Sequence, residues 1–205
     1  MKKVFSPSVA RNRDPILAVL SLYLGKDDRV LEIGSGTGEH AIHFAGALKD
    51  LHWITSDVEE NHSMITEWLK SAQLKNLHGP ELLKIGKNDF PERPFTHVFT
   101  ANTLHIMSWK ECKSLFKLVG KRLREGSLVF FYGPFNYGGR YTSPGNEEFD
   151  NSLKRRGSGS GLRDFEDVLN SMLKAGFKLL KDHEMPANNR LLIFERLPFG
   201  KKYES

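Results

Sequence analysis

The chain reads Val30-Leu31-Glu32-Ile33-Gly34-Ser35-Gly36-Thr37-Gly38 at the point that decides its fold. The apolar residues before Gly34 are typical of a short buried strand, and three glycines follow at alternate positions. The residues after Gly38 have the pattern of a helix as far as Leu48. Glycines let a ligand lie against bare backbone, and in doubly wound sheets such a turn lies at the carboxyl end of the strands. The stretch therefore predicts a ligand-binding turn.

The spacing of the glycines argues against a phosphate-bearing ligand. Dinucleotide sites use the pattern G-x-G-x-x-G, or Ala at the last position. Here Glu39 stands at that last position, so a carboxylate would lie close to a pyrophosphate. The phosphate-loop pattern G-x-x-x-x-G-K-S/T is absent. S-adenosylmethionine (SAM), which has no phosphate, fits the turn; a tight structural turn without any ligand is the alternative.

A carboxylate follows the second predicted strand, residues 51–55. This residue, Asp57, lies 19 positions beyond Gly38 and is suited to accept hydrogen bonds from both hydroxyls of a ribose. It also begins the sequence Asp57-Val58-Glu59-Glu60, which has the capping-box pattern of a helix start. Ribose binding and helix capping therefore both remain open.

Strand and helix patterns alternate along the chain, which indicates parallel strands joined by helical crossovers. The last two strands are joined by the short turn Met185–Asn189, so they must be antiparallel. We expect a doubly wound, seven-stranded, mostly parallel sheet with the last strand antiparallel, in one domain over residues 1–205. The first helix is expected to be capped by Asp14 with Pro15 at its first position. Helices are predicted at 14–24, 39–48, 61–72, 109–124 and 164–174, and strands at 29–33, 51–55, 82–85, 97–101, 127–132, 177–182 and 190–195.

Composition indicates a globular protein and limits its partners. The chain has 205 residues, a net charge of +5 and one cysteine, Cys112, so it forms no internal disulfide and a cytoplasmic location is expected. No apolar run approaches the roughly 20 residues of a membrane span, and the N-terminus lacks the apolar core of a secretory signal. Basic residues are scattered, so nucleic-acid binding stays open but is not favoured. No cluster has metal-ligand spacing, so no metal is expected. The oligomeric state is left open.

The pattern E-x-G-x-G-x-G after a first strand, with an acidic residue ending the second, resembles motifs I and II of the class I SAM-dependent methyltransferases. This resemblance implies a Rossmann-like methyltransferase fold. More narrowly, the chain resembles the methyltransferase-like protein 26 family, also described as domain-of-unknown-function family 938. The segments that carry this narrower resemblance are Ser6–Arg13, Ala101–Ile106, Gly133–Phe135 and Met185–Asn189.

The resemblance implies roles for individual residues. Asp57 would hold the ribose, and Asp89 is the candidate for the adenine amine, although Lys84 stands nearer the expected place. The residues that would line the methionine part of SAM are Glu32, Gly34, Gly36 and Gly38, and Ser35 is a further candidate for cofactor binding. Near the N-terminus, Arg11 and Asn12 are candidates to bind the cofactor carboxylate, the alternative being a surface pair beside a helix start.

The fourth predicted strand ends at a candidate catalytic segment, which contains Asn102 and His105. In this fold that end is expected to face the transferred methyl group. We expect Asn102 to contribute to both cofactor binding and catalysis. His105 is a candidate general base because an ordinary histidine has a pKa near 6.5; a capping or packing histidine is the alternative. The N-P-P-Y type of motif that amino-methylating enzymes share is absent, which counts against a nucleobase nitrogen as acceptor.

Two loops are expected beside the ligand. Residues Gly133–Leu162 lack strong periodicity and are interpreted as a mobile cover over an acceptor pocket, the alternative being a disordered insertion. The turn Met185–Asn189 offers asparagines for substrate binding, although asparagine is common in turns for local reasons.

The sequence therefore predicts a SAM-dependent methyltransferase that acts on a small molecule. Two alternatives remain open. One is an RNA or protein methyltransferase, suggested by the net charge and by the run Lys154-Arg155-Arg156. The other is a SAM-binding protein that has lost catalysis.

Overall fold

The structure is a computed structural model, and it describes residues 5–157 and 159–198. Within these residues the helices are α1 (Pro7–Leu20), α2 (Glu39–Ala47), α3 (Glu59–Ala72), α4 (Trp109–Arg122), α5 (Pro144–Lys154) and α6 (Phe165–Lys174). The strands there are β1 (Arg29–Ile33), β2 (His52–Asp57), β3 (Leu77–Leu82), β4 (His97–Ala101), β5 (Leu128–Gly133), β6 (Phe135–Asn136), β7 (Arg163–Asp164), β8 (Phe177–Met185) and β9 (Asn189–Arg196).

Seven strands form one sheet in the order β3-β2-β1-β4-β5-β9-β8. Strand β1 is parallel to β2 and β4, and β2 is parallel to β3. Strand β9 is antiparallel to both β5 and β8. The predicted fold class, a seven-stranded and mostly parallel sheet with the last strand antiparallel, is confirmed. Strands β6 and β7 form a separate parallel pair.

The chain divides into two compact units, Met1–Thr100 and Ala101–Ser205. In the first unit, β1 and β2 are buried on both faces, as continuous apolar runs in parallel sheets are. Three rings pack together there, with 5.1–5.6 Å between their centroids: those of Phe44, Trp53 and Phe99. In the second unit, Phe131 packs between Phe116 and Phe194. The expectation of a single domain stays a prediction.

The start of the first helix was predicted wrongly. Helix α1 begins at Pro7 rather than at Asp14, and it ends at Leu20 with Pro15 inside it. A proline in a helix interior costs about 3 kcal/mol because it removes a hydrogen bond and clashes with the preceding turn. Burial on both sides of the proline offsets this cost. The buried residues of α1 are Val9, Asn12, Ile16 and Leu20.

Two further predictions were wrong. Strand β3 spans Leu77–Leu82 rather than 82–85, although it contains the pair Gly79-Pro80. Proline is tolerated there because β3 is an edge strand and one side of it needs no donor. The segment Gly133–Leu162, in which no helix was predicted, contains the eleven-residue helix α5, whose N-cap Ser143 accepts the Asn146 N–H. Within the described residues, no helix is long and apolar enough to cross a membrane.

Candidate functional site

The glycine turn has a backbone that only glycine adopts readily. Gly34, Gly36 and Gly38 have φ values of 69°, 58° and 84°, all in the left-handed region. The N–H groups of Gly34 and Ser35 both donate to the carbonyl oxygen of Ser56, at 2.9 and 3.1 Å. These bonds fix the start of the turn to the end of β2.

The turn is open at its centre. A β-carbon built on Gly36 would meet no atom within 4 Å, whereas one on Gly38 would lie 3.5–3.6 Å from atoms of Ile65 and Trp68. Gly36 thus presents bare backbone to open space, while Gly38 allows close packing against α3. This is the cradle that a ligand-binding glycine turn requires.

Asp57 connects the end of β2 to the turn. Its Oδ2 accepts the Gly36 N–H at 2.7 Å, and its Oδ1 accepts the Val58 N–H at 2.7 Å and the Asn61 Nδ2–H at 3.0 Å. A carboxylate has about four acceptor positions, so three are in use and one remains, on Oδ2. Binding both ribose hydroxyls, as predicted, would require one of these donors to move. The capping-box alternative is wrong: Val58 is the N-cap of α3, and it makes no side-chain cap.

Glu32 and Ser35 lie beneath the turn. The buried Glu32 accepts hydrogen bonds from Ser35 Oγ and Trp53 Nε1, both at 3.1 Å. Burial raises the pKa of Glu32 to about 7, opposed by these two bonds and assisted by the charge of Asp57. Ser35 Oγ also accepts the Ser56 N–H at 3.2 Å. Both side chains are therefore bonded to protein groups, and their contact with a cofactor stays a prediction.

The remaining candidates of the first unit differ in burial. Asn12 is buried, and its Oδ1 lies 2.7 Å from His40 Nε2, which ties α1 to α2. Burial, with smaller contributions from His43 and Arg13, lowers the pKa of His40 to about 4. Arg11 and Asp89 are exposed. Their predicted roles at the cofactor carboxylate and the adenine amine stay predictions.

In the second unit, Asn102 and His105 converge on Gly133. A β-carbon on Gly133 would lie 3.7 Å from Asn102 Oδ1 and 3.6 Å from His105 Nδ1. Asn102 has a φ of 59°, and its N–H donates to the Tyr132 carbonyl oxygen at 2.9 Å. The two catalytic candidates therefore present a carbonyl oxygen and a ring nitrogen to the same point at the end of β5.

The surroundings of His105 make it a weak base. Its ring is buried and stands edge-on to Phe149, with 5.2 Å between the centroids. Burial, and to a smaller extent the charge of Arg163, lowers the pKa of His105 to about 4. The imidazole is consequently neutral at pH 7, and its affinity for a proton is low.

Sequence reasoning missed Arg163, which holds the loop after β4. Its guanidinium donates to the carbonyl oxygens of Leu104 (3.0 Å), Met107 and Gly159 (3.0 Å). In the same loop, His105 O accepts the Gly161 N–H at 2.9 Å. Arg163 lies 59 residues from Leu104, so no local pattern in the sequence reports this contact.

The segment Gly133–Leu162 is fastened by two carboxylates. Asp182 accepts hydrogen bonds from Tyr137 Oη at 2.7 Å and from Arg190 Nε at 2.8 Å. The buried Asp150 bonds three groups of the segment itself. These are Tyr141 Oη at 2.8 Å, the Leu162 N–H at 2.7 Å and Lys154 Nζ at 2.7 Å.

The chain matches the model of a known protein family. Residues 3–196 match the model of a family described as "Protein of unknown function (DUF938)". The chain belongs to the DUF938 family.

Solved structures share the fold of this DUF938 chain at low sequence identity. The methyltransferase SibL, described as SAM-dependent and solved in its apo form, has a TM-score of 0.77 and 19% identity over 93% of this chain and 56% of its own. An O-methyltransferase family 2 protein from Planctomyces limnophilus, in complex with apigenin, has a TM-score of 0.80 and 16% identity over 93% of this chain and 60% of its own. Human N-acetylserotonin methyltransferase in complex with SAM has a TM-score of 0.79 and 13% identity over 93% of this chain and 53% of its own. The chain thus spans little more than half the length of these proteins.

The remaining predictions for this DUF938 chain concern the last turn and metals. Asn189 Nδ2 donates to the carbonyl oxygens of Pro186 and Ala187, and Asn188 O accepts from Asn146 Nδ2 at 3.4 Å. These are local and structural contacts, and substrate binding by the turn stays a prediction. Across residues 5–157 and 159–198, no group of three His, Cys, Asp or Glu side chains could hold a metal ion.

Proposed function

We propose that this DUF938 chain binds SAM and transfers its methyl group to a small-molecule acceptor. The observation that carries the proposal is the glycine turn after β1. It has three left-handed glycines, open space in front of Gly36 and a carboxylate, Asp57, bonded to the Gly36 N–H. The position of the turn, after the first strand of a doubly wound sheet, is where such folds bind their ligands.

The residues of the turn suit SAM, which lacks phosphate. The bare backbone from Gly34 to Gly38 would hold the methionine part. The free acceptor position on Asp57 Oδ2 would take a ribose hydroxyl. Glu32 and Ser35 would act from beneath by fixing the turn. When bound, SAM supplies a methyl group that is already activated by its sulfonium sulfur.

Methyl transfer from a sulfonium depends mainly on alignment of the reacting atoms, and positioning alone can supply several kcal/mol. We propose that Asn102 Oδ1 and His105 Nδ1 accept hydrogen bonds from the acceptor molecule and orient it. A neutral His105 can do this when its Nε2 carries the proton. A pKa of about 4 leaves His105 too weak a base for efficient proton removal at neutral pH, so orientation is the role we assign to it.

A small-molecule acceptor is favoured over RNA or protein by the solved structures with this fold. One of them holds apigenin, and another is named for N-acetylserotonin. The narrower relationship to the methyltransferase-like protein 26 family is likewise part of the proposal. It rests on the segments Ser6–Arg13, Ala101–Ile106, Gly133–Phe135 and Met185–Asn189.

Calorimetry with SAM, S-adenosylhomocysteine (SAH) and NAD tests the cofactor. We expect micromolar affinity for the first two and no binding of NAD. Tight NAD binding without SAM binding would overturn the proposal. Radiolabelled methyl transfer into small-molecule, RNA and protein fractions then tests the acceptor. Label in the RNA or protein fraction would show that the acceptor is RNA or protein rather than a small molecule. SAH binding without transfer to any fraction would indicate a binding protein without catalysis.

A further inference from the structure

Glu39 is the first residue of α2 and directly follows the glycine turn. Its side chain is buried although it carries a charge. A carboxylate at a helix N-terminus is favourable, because the helix dipole is positive there. That explanation accounts for the charge of Glu39 but not for the two contacts that its carboxylate makes.

One oxygen of Glu39 bridges two distant parts of the chain. Oε2 accepts the backbone N–H of Ser6 at 2.7 Å and the hydroxyl of Thr37 at 2.8 Å. Ser6 lies 33 residues before Glu39 and immediately precedes α1. Thr37 stands between Gly36 and Gly38, the two left-handed residues at the centre and the end of the turn. The carboxylate therefore joins the start of α1 to the middle of the turn.

Two other contacts hold the same N-terminal segment in place. The buried pair Asn12 and His40 joins α1 to α2. The ring of Phe5 stands edge-on to the ring of Trp68 at 5.0 Å, and Trp68 is one of the side chains against which Gly38 packs. The segment thus contacts both Glu39, the residue that follows the turn, and Trp68, a side chain next to Gly38.

We propose that Glu39 is a positioning residue for the cofactor: together with Ser6 and Thr37 it forms a latch that fixes the glycine turn in its binding conformation. This inference rests on the proposed function. Fixing the backbone of a residue costs conformational entropy, and a turn that is already fixed loses less of it on binding. Cofactor affinity should therefore depend on the start of α1, which lies far from the turn in sequence.

Point variants of the full chain test the latch, with SAH as the probe in calorimetry. Glu39→Ala should weaken SAH binding about tenfold, the loss expected for a hydrogen bond to a charged group. Glu39→Gln keeps an acceptor oxygen and should restore affinity to within about threefold of wild type. Thr37→Val should lower SAH affinity as much as Glu39→Ala does. Thr37→Ser keeps the hydroxyl and should bind SAH as tightly as wild type. Ser6→Pro removes the N–H and should weaken binding, whereas Ser6→Ala keeps it and should not.

Non-additivity separates a latch from a general loss of stability. Glu39→Ala combined with Ser6→Pro should bind SAH no more weakly than Glu39→Ala alone, because the contact that Ser6→Pro removes is already lost in Glu39→Ala. Hydrogen exchange of residues 6–12 without SAH should also accelerate in Glu39→Ala. If the melting temperature falls while SAH affinity is unchanged, or if the two effects add, the latch is refuted and the proposed function stands. If wild type binds neither SAM nor SAH, the proposed function fails, and the positioning role fails with it.

Discussion

The glycine turn and the segment Gly133–Leu162 are both held by carboxylates, but with opposite results. At the turn, Asp57 bonds the Gly36 N–H and leaves one acceptor position and open space in front of the glycine. In the segment, Asp150 bonds a tyrosine hydroxyl, a backbone N–H and a lysine of the same segment. The first arrangement fixes a backbone and leaves it accessible, as a binding site needs. The second consumes its polar groups internally, as a structural element does.

The largest expected effect is that of Asp57→Ala on cofactor binding. The variant removes the acceptor for the Gly36 N–H and for a ribose hydroxyl. Hydrogen bonds to a charged group are worth about 1.5–3 kcal/mol each, so we expect the loss of two to lower SAH affinity by about several hundredfold in calorimetry. Unchanged affinity with a lower melting temperature would limit Asp57 to holding the turn.

The sequence predicted the conformation of the turn well because its signal is local. A buried strand, three spaced glycines and a helix are contiguous, and glycine is the residue that the left-handed conformation demands. The spacing could not reveal that Ser6 bonds Glu39, because that contact joins residues 33 positions apart. The contacts of Asp57 with Gly36 and of Arg163 with Leu104 escaped prediction for the same reason.

The errors in the fold came from treating proline and glycine as breaks. Gly79-Pro80 lies inside edge strand β3, and Pro15 lies inside α1, because tertiary context outweighs local preference at both places. In the segment Gly133–Leu162, α5 begins in the usual way for a helix, with the N-cap Ser143 followed by Pro144. That signal was present in the sequence and was missed among the surrounding glycines.

The next largest effect is expected for Asp150→Ala, on stability alone. The buried Leu162 N–H would lose its acceptor, which costs about 1–3 kcal/mol, and the Tyr141 hydroxyl would lose its partner. We expect urea denaturation to show a loss of about 3 kcal/mol, with SAH affinity unchanged. Lys154→Ala is the control, because its exposed ammonium should contribute under about 1 kcal/mol. A loss of SAH affinity as large as that of Asp57→Ala would contradict the difference between the two regions.

A smaller effect, on the pH dependence of stability, distinguishes Glu32 from His105 by its sign. The pKa of the buried Glu32 is raised to about 7, so its contribution to stability is present below pH 4.5 and is lost as the pH rises through 7. Urea denaturation should show a loss of about 2 kcal/mol between pH 5 and pH 8, and Glu32→Gln should flatten it.

His105 provides the matched contrast from the second unit. Its pKa is lowered to about 4, so its contribution is present above pH 6.5 and is lost as the pH falls towards 4. His105→Gln should therefore reduce the slope on the acid side of the stability profile, where His40 contributes with the same sign, and leave the alkaline side unchanged. If the free energy of unfolding of Glu32→Gln still falls between pH 5 and pH 8, the alkaline slope belongs to another group.

The smallest expected effect is the change that SAH causes in the hydrogen exchange of Gly133–Leu162. The sequence favoured a mobile cover, whose amides would exchange quickly until ligands bind. In the structure the Gly161 N–H is bonded to His105 O, the Leu162 N–H is bonded to Asp150, and α5 supplies its own hydrogen bonds. Amides that are bonded in this way exchange only through local opening, so peptides covering 144–157 should be protected without any ligand. Adding SAH should change their rates by less than about twofold, whereas residues 34–39 should gain protection severalfold as the open face of the turn is covered. If instead 144–157 exchanges fast alone and slows strongly with SAH, the side-chain contacts of Asp150 and Arg163 form only with the cofactor, and the segment is a mobile cover after all.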